Sequence, residues 1–235
     1  MNKEFDGHES LDGKYELKTI NVAPEKLCLD PNNLRFLLSM EERSELSTSR
    51  LVSKELQEKI YKRLLRNNRF NIRGLVDRIS NIGWIKEGGF YVKRIHGQNH
   101  FLVLEGNRRT CAIKYILNNS TQFPENLIKI LERIDVQELV VLDPGDEEFV
   151  TRTIVDIRNT GGVLPFGPLH TALSFHCRYK LKLKRICGEQ AGFSYIATIA
   201  RELALECGET VNKIKKLLSI YNVFKQLKDS GYDVK

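Results

Sequence analysis

The stretch that decides the fold runs from Phe101 to Leu117 and reads FLVLEGNRRTCAIKYIL. Its first four residues are apolar, which is typical of a short buried strand, and a Glu-Gly-Asn break follows at 105–107. From Arg108 onward the apolar residues recur at helical spacing. The stretch therefore predicts a strand, a tight glycine turn and a helix, with two arginines in the first helical turn.

Arg108 and Arg109 make this turn a candidate anion site. The first N–H groups of a helix have no partners within the helix and favour an anion. Guanidinium groups add charged, planar donors that suit phosphate. Because arginines in a first helical turn oppose the helix dipole, a bound anion would relieve that misfit. The spacing is equally compatible with a strand–helix corner whose arginines are solvated.

The composition is that of a soluble globular protein. The 235 residues are 41% hydrophobic and 29% charged, enough for one large or two small domains. No apolar run approaches the roughly 18 residues of a membrane span, and the polar start from Met1 to Lys18 is no secretory signal. Five scattered cysteines without a C-x-x-C pair favour free thiols over a disulfide framework or a zinc site. We therefore expect a cytoplasmic protein without a membrane partner.

The net charge of +7 is concentrated near the C-terminus. Residues 178–235 contain 12 Lys and Arg against 6 Asp and Glu, whereas the preceding residues contain 25 against 24. A basic C-terminal region on a nearly neutral body suggests nucleic acid or an acidic partner. The alternative is a set of solvated helix faces.

The chain divides into a mixed region and a helical region. A loop with Pro165, Gly167 and Pro168 separates them. The predicted domains are residues 1–162 and 163–235. The predicted fold class is α+β, a small mixed sheet with helices followed by an all-helical domain. The predicted elements are strands at 15–22, 90–95, 101–104 and 136–142 and helices at 53–67, 72–82, 147–159 and 169–183.

The last segment contains a helix-turn-helix pattern. A helix predicted over 195–205 is followed by a turn at 206–209, whose glycine suits a DNA-binding helix pair. Thr210 caps a second helix, and polar donors near the start of such a helix are suited to a major groove. Helix pairs that bind no DNA are also common. The candidate DNA-binding residues are Thr210, Asn212, Lys213, Lys215 and Lys216.

The order of these parts resembles the ParB family of partition proteins over roughly residues 20–227. The shared parts are a helix ending in Gly83-Trp84-Ile85, a hairpin, the EGNRR turn at 105–109, a further strand, helices and the helix-turn-helix. The turn looks like the family's G-E-R-R motif, with Asn107 in place of the usual glutamate. In the family this motif grips the triphosphate of CTP. The resemblance therefore implies that Glu105, Gly106, Asn107, Arg108 and Arg109 bind a nucleoside triphosphate.

A second motif of the family, E-N-x-x-R, helps to hold metal and phosphate. Its nearest match here is Asp156-Ile157-Arg158-Asn159, at a spacing that departs from the family pattern. The resemblance implies that Asp156 replaces the glutamate as a Mg²⁺-linked carboxylate and that Arg158 or Asn159 reaches phosphate. It also implies a homodimer.

Three functional hypotheses follow. The first is a DNA-binding protein of a nucleoid or plasmid, whose DNA binding is coupled to a nucleoside triphosphate, CTP by family likeness. The second is an enzyme of the ParB/sulfiredoxin superfamily, a CTPase-like nucleoside triphosphatase or a nuclease, for which the sequence assigns no catalytic residue. Peroxide chemistry like that of sulfiredoxin is not expected, because Cys111 is at a packed position. The third is a protein-interaction module that binds no nucleotide.

Overall fold

The computed structural model describes residues 11, 13–37, 42–85, 89–160, 167–187 and 196–231, with the side chains at 157–160 and 187 left out. These residues form two compact units. The first, which we call the sheet unit, comprises Tyr15–Asn33 and Ser44–Leu142. The second, the helical unit, comprises Asp143–Lys235 with Leu34–Arg43 and Met1–Lys14, as far as these are described.

A five-stranded mixed sheet organises the first unit. Its strand order is β1-β5-β3-β4-β2. The pairs β1–β5 and β3–β4 are antiparallel, whereas β2–β4 and β3–β5 are parallel. The predicted strands are all present, but β2 was not predicted. The strands are β1 (Tyr15–Val22), β2 (Leu27–Leu29), β3 (Tyr91–Arg94), β4 (Phe101–Glu105) and β5 (Ile134–Val141).

The helices of the sheet unit begin where side-chain caps predict them to begin. Ser53 accepts a hydrogen bond from the N–H of Leu56 at 3.4 Å, and Asn71 accepts one from the N–H of Gly74 at 3.3 Å. The third helix ends at Gly83, whose φ of 92° suits a residue without a Cβ. The helices are α1 (Thr48–Leu51), α2 (Lys54–Arg66), α3 (Ile72–Ile82), α4 (Asn107–Asn118) and α5 (Glu125–Leu131).

Helix α4 lies at the centre of the sheet unit and packs against α2, α3, α5 and β2. One face of α4 is wholly buried, which is why its apolar residues recur at helical spacing. Burial of these side chains removes them from water and contributes most of the stabilisation of the helix. The fully buried residues are Cys111, Ala112, Ile113 and Ile116.

The helical unit has one apolar core shared by its helices. Leu173, Ile199, Leu203 and Ile214 are all 0% exposed in this core, and Leu34 and Leu37 pack into it from the earlier part of the chain. None of the described helices is long and apolar enough to cross a membrane. The helices are α6 (Glu147–Thr160), α7 (Pro168–Cys187), α8 (Ile196–Cys207) and α9 (Val211–Asp229).

A buried group of charges joins α7 to α8. The Nζ of Lys182 lies 3.1 Å from Glu202 Oε2 and 2.7 Å from Glu206 Oε1. Arg178 also pairs with Glu206, and its Nη1 donates to Cys207 Sγ at 2.7 Å. The side chains of Arg178 and Lys182 are only 4% exposed. Charges removed from water to this extent are tolerated because each has opposite charges as partners.

The α+β fold class is confirmed, and the departures from the predicted elements are local. Helices α1 and α5 were not among the predicted elements. Helix α6 groups with the C-terminal helices rather than with the sheet. The predicted domain boundary at 162/163 lies outside the described residues and stays a prediction.

The buried charges generate a first prediction, for Lys182→Ala. The substitution leaves Glu202 without its buried cationic partner and Glu206 with Arg178 alone, so we expect a loss of about 3 to 5 kcal/mol in the free energy of unfolding. The matched control is Lys213→Ala, which removes an exposed pair with Glu209 on α9 and should cost about 0.5 kcal/mol or less. Urea denaturation measures both, and equal losses would contradict a structural role for the buried group.

Candidate functional site

The EGNRR turn connects β4 to α4 through a single residue, Gly106. Its φ of 107° is in the left-handed region, which residues with a Cβ avoid. A Cβ built on it would lie 3.1 Å from the ring of Phe90. The carbonyl of Gly106 accepts hydrogen bonds from the Thr110 N–H at 2.8 Å and the Thr110 hydroxyl at 3.1 Å. The helix therefore begins one residue after the strand, whereas the sequence predicted a three-residue break, and glycine is required at the junction.

The side chain of Asn107 holds the turn in place. It is 4% exposed, and its Oδ1 accepts from the N–H of Asp30 at 2.8 Å while its Nδ2 donates to the carbonyl of Val103 at 2.8 Å. These two bonds connect the segment after β2 to β4. The side chain of Asn107 thus has structural partners, which leaves its backbone N–H as the group that could bind an anion.

Arg108 and Arg109 are both half-buried, and both donate to backbone carbonyls. The Nε of Arg108 lies 2.6 Å from the oxygen of Phe70, and Nη2 of Arg109 lies 2.8 Å from the oxygen of Gly89. Among the described residues, the four other N–H groups of Arg108 have no hydrogen-bond acceptor. A guanidinium has five such donors. Arg108 is therefore oriented by one bond and retains a fork of donors for a ligand.

The electrostatics of the turn favour an anion. Burial lowers the pKa of the Arg108 guanidinium, Glu105 opposes this decrease, and the neighbouring Arg109 adds to it. Burial also lowers the pKa of Arg109, again opposed by Glu105. A lowered pKa means that the charged form is less stable here than in water. A bound phosphate would add negative charge beside both guanidinium groups and so stabilise their charged forms.

Phe90 forms one wall of the turn, a role that the sequence did not predict. Its ring limits the space at Gly106, and the guanidinium carbon of Arg109 lies 5.2 Å from the ring centroid. Trp84 meets the same ring edge-on, with the centroids 6.4 Å apart. The only sequence signal was the aromatic start of the predicted strand at 90. The partners of Arg108 and Arg109 are backbone carbonyls, so the residue types at those positions could not have revealed them.

Asp156 lies in α6 of the helical unit and is 2% exposed. Burial raises its pKa to about 6 from an ordinary 3.8, although Arg152, Arg178 and a hydrogen bond with Ser174 act to lower it. The side chains of Arg158 and Asn159 are outside the described residues. No group of three or more His, Cys, Asp and Glu side chains that could hold a metal exists in the described part of the chain. Two cationic neighbours around a single carboxylate do not fit a Mg²⁺ site.

The predicted helix pair is present as α8, a short turn and α9. Gly208 has a φ of 63°, and the N–H of Glu209 donates to the carbonyl of Ala204 at 2.9 Å, closing the turn. Thr210 caps α9 by accepting from the N–H of Lys213 at 3.2 Å. The predicted start of the first helix, at 195, lies outside the described residues.

The side chains predicted to contact DNA are at the start of α9. Asn212, Lys213, Lys215 and Lys216 are exposed, and Lys213 is paired with Glu209 one turn earlier. Thr210 is engaged as the cap. The packed face of α9 contains Ile214, Leu217 and Leu218, so the basic residues lie on the outer surface. The arrangement presents positive charge and amide donors to an anionic partner.

Comparison with known proteins bears on the fold. No family model and no curated protein matches the sequence. The chain is similar to a solved structure described as the C2221 form of a Pnob8-like ParB-N domain, with a TM-score of 0.52 and 12% sequence identity. The match covers 94% of this chain and 77% of that chain. At this identity the likeness shows that the chain has a ParB-N-like fold.

The geometry at Gly106 generates a second prediction, for Gly106→Ala. Alanine at a φ of 107°, with its Cβ against Phe90, should lower the free energy of unfolding by roughly 2 to 3 kcal/mol. Gly208→Ala is the matched control, because its φ of 63° is left-handed but no heavy atom lies within 4 Å of the added Cβ; it should cost about 1 kcal/mol. Chemical denaturation measures the free energy of unfolding of both variants. Equal losses would show that the contact with Phe90 is unimportant.

The buried carboxyl of Asp156 generates a third prediction, on pH dependence. Because its folded pKa is raised above the unfolded value, its contribution to stability is complete below about pH 4 and is lost as pH rises to about 6. Asp156→Asn removes this loss. The stability of the variant relative to the unaltered protein should therefore increase by about 3 kcal/mol between pH 4 and pH 7, as measured by denaturation across that range. A difference that stays constant with pH would contradict the raised pKa.

Proposed function

We propose that this protein binds DNA and that its DNA binding is linked to binding of a nucleoside triphosphate at the EGNRR turn. The observation that carries the proposal is the pair of half-buried arginines at the start of α4, one of which retains four N–H donors. CTP is the favoured nucleotide because the turn resembles the G-E-R-R motif of ParB proteins. The ParB-N-like fold supports this choice of motif.

A polyphosphate suits the turn for three physical reasons. The first N–H groups of α4 have no acceptor within the helix and attract negative charge. The left-handed Gly106 lets α4 begin directly after β4, which places these N–H groups and both arginines at the end of the strand. Arg108 and Arg109 add forked, charged donors, and each charge-assisted hydrogen bond contributes about 1.5 to 3 kcal/mol. Any Mg²⁺ would accompany the triphosphate, since the surroundings of Asp156 do not suit the ion.

The DNA contact is proposed for the start of α9. Lys215 and Lys216 are exposed there and suit phosphate oxygens, and Asn212 supplies an amide donor for a base edge. Thr210 fixes the first turn of α9, which would hold these side chains in one orientation. As in ParB proteins, we infer that the binding form is a homodimer, which would place two such helices on one duplex.

Linkage between the two sites requires a difference in affinity. A nucleotide shifts DNA binding only if it binds the DNA-competent conformation more tightly than the other, and DNA must then affect nucleotide affinity by the same factor. We infer that the helices between Asp156 and Leu183 change their arrangement on nucleotide binding. The reciprocal effect is the property that separates linked binding from two independent sites.

The fourth prediction tests the nucleotide site with Arg108→Gln/Arg109→Gln. Glutamine retains a donor for a backbone carbonyl but has no charge. Loss of two charge-assisted bonds should weaken binding of a fluorescent CTP analogue at least about 100-fold, as measured by anisotropy. Arg133→Gln is the control, because Arg133 also donates to a carbonyl, that of Asn21 at 2.8 Å, and lies outside the turn; its affinity should be unchanged.

The same variants decide between the hypotheses. The double variant should retain salt-sensitive DNA binding in the absence of nucleotide, whereas Lys215→Gln/Lys216→Gln should lose DNA binding and keep the CTP analogue. Unchanged nucleotide affinity in the Arg108/Arg109 variant would contradict the proposed site. Nucleotide turnover that disappears with the arginines would favour the nucleoside triphosphatase.

A further inference from the structure

A second basic surface lies on the sheet unit, far along the sequence from the helix pair. Between Glu58 and Asp77 the chain contains six basic residues and no acidic one. All six are exposed. We call this surface the α2–α3 basic face, and it consists of Lys59, Lys62, Arg63, Arg66, Arg69 and Arg73.

The helix geometry aligns most of these charges. The four on α2 have the spacing i, i+3, i+4, i+7, which puts them on one side of the helix over about 10 Å. The apolar residues of this part of α2, Ile60 and Leu64, are buried on another side. Like charges at this spacing repel each other. An aligned set is therefore less stable in isolation than when an extended polyanion lies along it.

The turn and the start of α3 continue the face beyond α2. Arg69 lies in the short 3-10 turn at Asn68–Phe70, and Arg73 lies in the first turn of α3. The guanidinium of Arg73 stacks 4.3 Å from the ring centroid of Tyr115 and bonds to its hydroxyl. The carbonyl of Phe70 holds Arg108 in the EGNRR turn. The basic face thus begins beside the proposed phosphate site.

We propose that the α2–α3 basic face binds the sugar–phosphate backbone of duplex DNA without reading its sequence. Four of its six cations are arginines, whose forked donors match phosphate oxygens. The four charges on α2 alone extend over about 10 Å of the helix, and such a row suits a polyanion more than a small ligand. A lipid bilayer is a poorer partner, because helices that lie in a membrane surface combine their charges with an exposed apolar side, whereas Ile60 and Leu64 are buried. This surface is additional to the contact proposed for α9.

The experiment measures binding of a nonspecific DNA duplex by the full chain over a series of salt concentrations. Each phosphate contact contributes about 0.9 to the slope of log affinity against log salt. Lys62→Gln/Arg66→Gln should therefore reduce the slope by about 2. The matched control is Lys18→Gln/Lys129→Gln, which removes two exposed charges of the same unit, and it should leave the slope unchanged. Lys62, Lys18 and Lys129 all have exposed carboxylate partners.

The outcomes separate this proposal from the one for α9. A reduced slope in Lys62→Gln/Arg66→Gln supports the face whether or not Lys215→Gln/Lys216→Gln also weakens binding. An unchanged slope overturns it, as does an equal reduction in the control. Retained DNA binding with a loss of binding to phosphatidylserine vesicles would assign the face to a membrane instead. Thermal melting confirms folding of each variant, and Lys59→Gln/Arg66→Gln provides a second pair if the first is unstable.

Discussion

The hydrogen bonds of the Asn107 side chain are the constraint on which the candidate site depends. One bond reaches the N–H of Asp30 and the other the carbonyl of Val103, so that the segment after β2 is tied to β4 at the residue where α4 begins. Gly106 adds the left-handed backbone that turns the chain from strand to helix within one residue. Together they fix the direction of the first turn of α4, so that Arg108 lies beside the 68–70 turn and Arg109 beside Phe90.

Buried cations occur in both units, but they are compensated in different ways. In the helical unit Lys182 and Arg178 are paired with glutamates, which is the arrangement that stabilises charges inside a protein. In the sheet unit the half-buried Arg108 donates from its Nε to a backbone carbonyl, whose dipole orients the guanidinium without neutralising it. The first arrangement is complete without a ligand. The second leaves positive charge in a partly desolvated place, which is the physical basis for assigning it to an anion.

The fold could be predicted where local chemistry determines it. Gly106, Ser53, Asn71 and Thr210 each mark a helix start by a requirement of the backbone or by a side-chain cap, and these boundaries were correct. Strand β2 could not be predicted, because three residues have no periodicity and its parallel partner, β4, is distant in the sequence. The pairing of Lys182 with the glutamates of α8 could not be predicted either, because these partners are also distant from it in the sequence. The positive charge of the α2–α3 basic face does not appear in the net charge of the first 177 residues, because acidic residues elsewhere in that region cancel it.

The most direct test of the account is thermal melting of the protein with CMP, CDP and CTP at equal concentrations, with and without Mg²⁺. A ligand that binds only the folded state raises Tm according to its affinity. If the two guanidinium groups hold a polyphosphate, Tm should increase from the monophosphate to the triphosphate, and replacing the cytosine base should change the increase less than removing phosphates. No shift with any nucleotide, or the same shift for CMP and CTP, would contradict the central claim.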